Sequence, residues 1–205
     1  MKPDPRRAFD VVEAFEKALC GYTGAPFCVT VDSCTNALFL AMKRRRMLGN
    51  HGNIRIPERT YVGVVQAARN ALFDFRLVPL QWVGEYDIHP LRIIDAAKWL
   101  RDGMYKSETF TCLSFQSYKQ LPIGRGGAIL CDDEDDAEWF RCMRFDGRDM
   151  ETSLYRQERF GYGAHCYMTP PDAARGLWLM QGLKDNAQPI GSWEDYPDLS
   201  KKEWT

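Results

Sequence analysis

Short apolar runs of strand length alternate along this chain with longer stretches whose apolar residues recur at helical spacing. That alternation restricts the fold more than any other feature, because strands interleaved with helices build an α/β sheet with parallel pairs. Phe9, Val12, Phe15 and Leu19 mark a first helix, with Gly21 and Gly24 as its stop signals. Residues 27–31 read as a buried strand, and 35–47 as a helix that turns Leu38, Ala41 and Met42 inward. Further strands are expected at 53–57, 75–82, 92–95, 110–115 and 127–131, with a helix near 62–72 between the second and third. A helix through Phe140 and Met143 follows the sixth strand. Pro170 and Pro171 open a last one through Leu177, Met180 and Leu183. Lys43, Arg44, Arg45 and Arg46 close the second helix, where a solvated face complementing the helix dipole is expected rather than a nucleic-acid patch. The acids at 132–136 are expected as N-terminal helix charges.

With 205 residues the chain is long enough for one domain with a sizeable core, taken here as 1–183, followed by an irregular tail at 184–205. Lys and Arg number 27 against 28 Asp and Glu, a near balance that argues against a broad nucleic-acid or anionic-membrane surface. The opening Met-Lys-Pro-Asp-Pro-Arg-Arg does not read as a signal peptide, and the clean apolar run at 37–42 is too short to span a bilayer. Seven cysteines form no CxxC pair, and Cys28, Cys112 and Cys131 sit in strand-like runs where buried reduced thiols are expected. His51, His89 and His165 show no metal-ligand spacing. A cytoplasmic, metal-free protein is the expectation.

Open α/β sheets bind ligands at the carboxyl ends of their strands, so the residues just after each strand carry the chemistry. Asp32-Ser33-Cys34-Thr35-Asn36 opens a helix, which makes either an anion site or a plain N-cap. Asp95 ends an apolar strand, where a carboxylate needs a cation or strong donors. Lys119 follows Ser114-Phe115-Gln116-Ser117-Tyr118 and precedes the turn Gly124-Arg125-Gly126-Gly127. A lysine there is either an exposed loop residue or a desolvated amine suited to Schiff-base chemistry. Taken together, a strand-end carboxylate, a lysine, a hydroxyl, an anion-binding helix start and an aromatic form a kit for pyridoxal 5′-phosphate (PLP).

On these residues the sequence resembles the DegT/StrS family of PLP-dependent sugar-nucleotide aminotransferases. Residues 31–38, Val-Asp-Ser-Cys-Thr-Asn-Ala-Leu, resemble the family's phosphate-site motif, which implies phosphate contacts for Ser33, Cys34 and Thr35. Ile56-Pro57-Glu58-Arg59-Thr60-Tyr61 resembles the segment whose aromatic stacks on the cofactor, a role that falls to Tyr61. Ile94-Asp95-Ala96-Ala97 is similar to the Glu-Asp-Ala-Ala motif, making Asp95 the pyridine-nitrogen partner. Ser114-Phe115-x-x-x-Lys119 matches Ser-Phe-x-x-x-Lys, which implies a phosphate ligand at Ser114 and the Schiff-base lysine at Lys119. Arg144-Phe145-Asp146-Gly147, Met168 and Ala173-Ala174-x-Gly176-Leu177 resemble later family motifs. The lysine separates the chain from related dehydratases, which resemble it but carry histidine there.

The sequence also departs from the pattern. Lys98 stands where the family has a Gln that meets the cofactor's phenolic oxygen, and His165 falls at an Asn that reaches the partner subunit's phosphate. Tyr86-Asp87-Ile88-His89-Pro90 normally precedes a helix and a further strand, but residues 92–95 follow at once. One βα unit and the small C-terminal domain are therefore expected to be missing. The fold implied is a mostly parallel sheet flanked by helices, like the large domain of PLP fold type I. The function implied is amination of a keto-sugar nucleotide for polysaccharide biosynthesis, with glutamate as donor and Lys119 and Asp95 as catalytic residues. The site would be shared across a homodimer. The alternative is a catalytically reduced PLP- or sugar-binding relative.

Overall fold

Gly24 ends the first helix, α1 (Asp10–Thr23), by taking a left-handed φ of 77° and donating its N–H to the Cys20 carbonyl at 2.9 Å. Gly21 stays inside that helix and does not stop it, since a lone helical glycine costs only ~1 kcal/mol against alanine. The computed structural model describes residues 5–204, so residues 1–4 of the opening segment read for a leader lie outside the described residues. After α1 come β1 (Phe27–Val31), α2 (Cys34–Met47), β2 (Ile54–Pro57), α3 (Val62–Asn70), β3 (Phe75–Val78), β4 (Tyr86–Ile88) and β5 (Ile93–Asp95). The chain continues through β6 (Phe110–Ser114), β7 (Gly127–Cys131), α4 (Glu134–Met143) and α5 (Pro170–Met180).

The main sheet has the order β1-β7-β6-β5-β4. Within it β5 and β6 run parallel, and the other neighbours are antiparallel. Strands β2 and β3 form a separate parallel pair, tied to the end of β4 by an antiparallel bridge between Arg55 and His89. The α/β expectation holds, but the sheet is mixed where strand–helix alternation predicts a mostly parallel one. The connections explain the difference. A parallel return needs a crossover, usually a helix, and α3 supplies one between β2 and β3. From β6 to β7 the chain passes through turns without a helix, and β4 reaches β5 through a short turn, so both pairs fold back. β4 itself is a strand absent from the sequence expectations.

Side chains on successive strand positions feed two apolar layers, one on each face of the sheet. Val29, Val31, Cys112, Ile129 and Cys131 pack with α2, α3 and α4. Cys28, Leu113, Ala128 and Leu130 pack with Phe15 and Leu19 of α1 and Ala173 of α5. All seven cysteines are free, and Cys28, Cys112 and Cys131 are buried as expected. Asp133 caps α4, and Glu134, Asp135 and Asp136 fill its first turn. The basic end of α2 is not the solvated face expected of it. Arg44 pairs with Asp136, Arg45 lies 3.9 Å over the Phe110 ring, and Arg46 donates to the Leu72 carbonyl at 2.7 Å. Long stems let these cations pack against the core while their heads find oxygen partners.

The segment after α5 runs back along the molecule. Trp99 Nε1 donates to the Ala187 carbonyl at 2.6 Å, and Gly84 N to the Gly191 carbonyl at 2.9 Å. Buried Leu199 donates its N–H to the Glu58 carbonyl at 2.7 Å. At the opposite side of the sheet Glu16 of α1 is buried, and its Oε1 accepts from Thr30 N and Thr30 Oγ1, each at 2.8 Å. Arg144, just past α4, pairs with that same oxygen and donates to the Thr30 carbonyl at 2.7 Å. Removing one partner of a buried ion pair strands the other charge without water. Glu16→Ala is expected to lower the unfolding free energy by about 3 kcal/mol in urea titration. A loss under ~1 kcal/mol would place the pair among weak surface-type contacts.

Candidate active site

The carboxyl ends of β1, β5 and β6 and the start of β7 meet at one edge of the main sheet. Their following residues surround a cavity of about 390 Å³. Ser33, Cys34 and Thr35 line it from the start of α2, and Tyr61 from the residue before α3. Asp95 and Lys98 come from the end of β5 and beyond, and Ser114 and Lys119 from the end of β6 and its loop. Eight of the nine expected site residues therefore share one cavity, although four loops supply them. His165 does not line it. Its exposed ring pairs instead with Asp146 at 2.8 Å, beside Phe145 and Tyr167.

Ser33 caps α2, its hydroxyl accepting from Asn36 N at 3.2 Å, so the N-cap function is real. The start of α2 still lines the cavity, where a helix start favours an anion. Gly127 holds that helix start against the sheet. A Cβ on Gly127 would lie 2.6 Å from Cys34 N and 2.6 Å from Ser33 C, so only glycine lets β7 approach α2 so closely.

Asp95 is buried, and loss of water pushes its carboxyl above the usual carboxylate range. Tyr86 OH donates to Asp95 Oδ2 at 2.7 Å, and Ala97 N donates to Asp95 Oδ1 at 3.0 Å. Thr60 Oγ1 lies 2.6 Å from the Tyr86 hydroxyl and completes a buried chain of hydroxyls. Tyr86 sits directly opposite Asp95 in the antiparallel β4–β5 register. Burial lowers the Lys119 ammonium below its ordinary range, and the neighbouring Lys98 lowers it further. Burial also drives the Cys34 thiol well up, so it is a neutral thiol in the cavity.

Several cavity residues were not singled out from the sequence. Asp32 at the rim accepts from Asn36 Nδ2 at 2.6 Å and pairs with Arg125. Trp82 stacks near Tyr86 and Tyr196, with ring centroids 4.9 and 5.8 Å apart. Tyr196 reaches the cavity from the C-terminal segment. The need of Asp95 for a strong donor was a signal for Tyr86, but only the unread strand β4 brings the two together. A second cavity, of about 470 Å³ between α1 and α4, contains neither Asp95 nor Lys119.

The model of the DegT/DnrJ/EryC1/StrS aminotransferase family matches residues 6–75 and 101–189. The stretch it passes over holds Tyr86, Asp95 and Lys98. No curated protein matches the sequence. Among solved structures, a sugar aminotransferase from Micromonospora echinospora is similar at 17% identity and TM-score 0.72, over 84% of this chain and 60% of that one. A DegT DnrJ EryC1 StrS aminotransferase from Brucella abortus has 18% identity and TM-score 0.67, over 84% and 58%. NtdA from Bacillus subtilis, solved with bound cofactor PMP, has 20% identity and TM-score 0.69, over 83% and 48%. These likenesses show the fold, that of the PLP fold type I aminotransferases, and this chain spans about 60% or less of their length.

The raised Asp95 pKa has a consequence for stability. The folded chain binds this proton more tightly than the unfolded chain does, so its contribution is fully present below the ordinary aspartate pKa and is lost as pH rises through the raised value. Asp95→Asn is expected to melt at a higher temperature than the parent above that window, with the gap closing as pH falls through it. An Asn variant less stable than the parent at pH 8 would show that the charged form is favoured by its surroundings.

Proposed function

Because the chain belongs to the DegT/DnrJ/EryC1/StrS aminotransferase family, we propose that it is a PLP-dependent aminotransferase that moves an amino group from glutamate to a keto-sugar nucleotide. The observation that carries this reading is the convergence of Lys119, Asp95, Ser33, Ser114 and the start of α2 on one cavity. The donor set fits the cofactor. A buried carboxylate at one wall, a desolvated amine at another and a helix start at the rim match a ring nitrogen, an aldehyde and a phosphate respectively.

When bound, PLP supplies an electron sink. Asp95 would accept a hydrogen bond from the protonated ring nitrogen, while Tyr86 and Ala97 fix the carboxylate's direction. Lys119, whose ammonium burial holds below its ordinary range, would hold the cofactor's aldehyde carbon, and once released it would serve as general base. Ser33, Cys34 and Thr35 at the start of α2, with the Ser114 hydroxyl, hold the phosphate. Tyr61 and Lys98 line the cavity, where Tyr61 would cover a ring face and Lys98 would take the place of the family's Gln near the phenolic oxygen. His165, outside the cavity, would reach the partner's phosphate in a cytoplasmic homodimer, released from its pair with Asp146.

A second reading is a catalytically reduced relative that keeps the cofactor and not the turnover. The observation that favours it is internal: β4 turns directly into β5, where the family pattern places a helix and a further strand. Incubation with PLP, reduction by borohydride and peptide mapping are expected to place one pyridoxyl group on Lys119. Equal labelling of Lys119→Ala, or none in the parent, overturns the cofactor assignment. Glutamate added before reduction is expected to release one equivalent of 2-oxoglutarate per site and to abolish that label. Persistence of the label with no 2-oxoglutarate supports the reduced relative.

A further inference from the structure

The cavity of about 470 Å³ between α1 and α4 lies outside the site built around Lys119, and its size is that of a small-molecule pocket. Part of its lining is aromatic. The Phe145 and Tyr167 rings stack at 4.5 Å, and Phe9 meets them edge-on at 5.8 and 5.6 Å. The same cavity is lined by both members of the Glu16–Arg144 pair, whose side chains are 7% and 13% exposed. Their pairing is one-sided. Every bond that the Glu16 side chain accepts ends on Oε1, and every bond that the Arg144 side chain donates leaves from Nη1. Glu16 Oε2 and the Nε and Nη2 of Arg144 have no partner among the described residues. They are not sealed in either, because the one fully buried side-chain nitrogen or oxygen left without a partner among those residues is Arg45 Nε. A free acceptor and free donors therefore open onto the cavity.

We propose that this cavity binds an uncharged aromatic ligand with an amide edge, a carboxamide or lactam, whose N–H donates to Glu16 Oε2 and whose carbonyl accepts from Arg144. The pair decides the chemistry. Its two charges cancel, and what it leaves open is one acceptor beside N–H donors. An amide is the neutral group that presents the complement, one donor beside one acceptor. A carboxylate sets lone pairs against Glu16, and an amidinium sets donors against Arg144. The other charged residues of the lining are Glu13, Glu138, Asp149 and Glu151 against Lys17 and Arg141, an acidic excess that further disfavours an anion. The aromatic rings supply the apolar face on which a flat ligand ring packs. None of the residues assigned to the cofactor takes part.

The full chain carries its own reporters. Cys20 and Cys142 are free, half-buried thiols on this lining, and Cys34 is a thiol of the other cavity. At about 10 mM, benzamide is expected to slow alkylation of Cys20 and Cys142 by N-ethylmaleimide about tenfold, as a fragment of ~1 mM affinity does, and to leave Cys34 unchanged. Benzoate and benzamidine at the same concentration are expected to protect less than about twofold, since each mismatches one member of the pair. Cys20→Trp, which fills the cavity, is expected to abolish the protection of Cys142. Absence of protection at both thiols, equal protection by benzoate or benzamidine, or protection that survives Cys20→Trp overturns the proposal. Equal slowing at Cys34 overturns it too, because the contact is then not confined to this cavity. Should Cys20→Trp fail to fold by circular dichroism, Met150→Trp on the same lining takes its place. Should the thiols react too slowly to follow, the methyl resonances of Met150 and Met168 decide. Shifts with benzamide and not with benzoate support the site, and methyls that stay still overturn it.

Discussion

A carboxylate stripped of water at the end of a strand is costly unless donors meet it, and the arrangement around Asp95 follows from that cost. The donors come from opposite directions: a phenol on the neighbouring strand and an amide two residues on. The phenol is fixed in turn by Thr60, which sits before α3, so the chain of hydroxyls joins β2, β4 and β5. Trp82 and Tyr196 close over it as an aromatic cover. The same enclosure that raises Asp95 also lowers Lys119, since burial disfavours charge of either sign. One desolvated cavity thus acts on a carboxyl and an amine at once.

Much of this was legible in the sequence, and the reasons are local. β1 and β7 were bounded correctly because continuous apolar runs flanked by polar or glycine residues admit few other structures. α4 and α5 were placed by their acids and prolines, which act within a single turn. Eight of the nine expected residues line one cavity because motif spacing records which loops follow which strands. Strand direction was misjudged because it depends on connections, and the β6–β7 connection is made of turns with no crossover helix to return the chain parallel. Tyr86 was missed because its strand is three residues long, too short to show a period. The basic run at the end of α2 was misread because its partners, Asp136, Phe110 and Leu72, are remote in sequence. His165 matched by position in a motif, yet its surroundings are those of a surface pair with Asp146.

The C-terminal segment illustrates how little a polar, irregular stretch reveals of its own role. Residues 184–204 carry no apolar period, yet their backbone meets Trp82, Gly84, Lys98, Trp99 and Glu58 in turn. Tyr196 becomes a wall of the cavity and Asp195 a partner for one of its lysines.

The β4–β5 hairpin also bears on the order in which such a cavity can assemble. Tyr86 and Asp95 are nine residues apart, and closing so small a loop costs little chain entropy. Ser33 and Lys119 are separated by most of the distance between β1 and β7, and their meeting waits on long-range pairing. The carboxylate can therefore acquire its hydroxyl donor while the rest of the wall is still apart. In a chain whose two strands are joined by a tight turn and not by an intervening helix, the acid end of the cavity is a local structure onto which the distant loops dock.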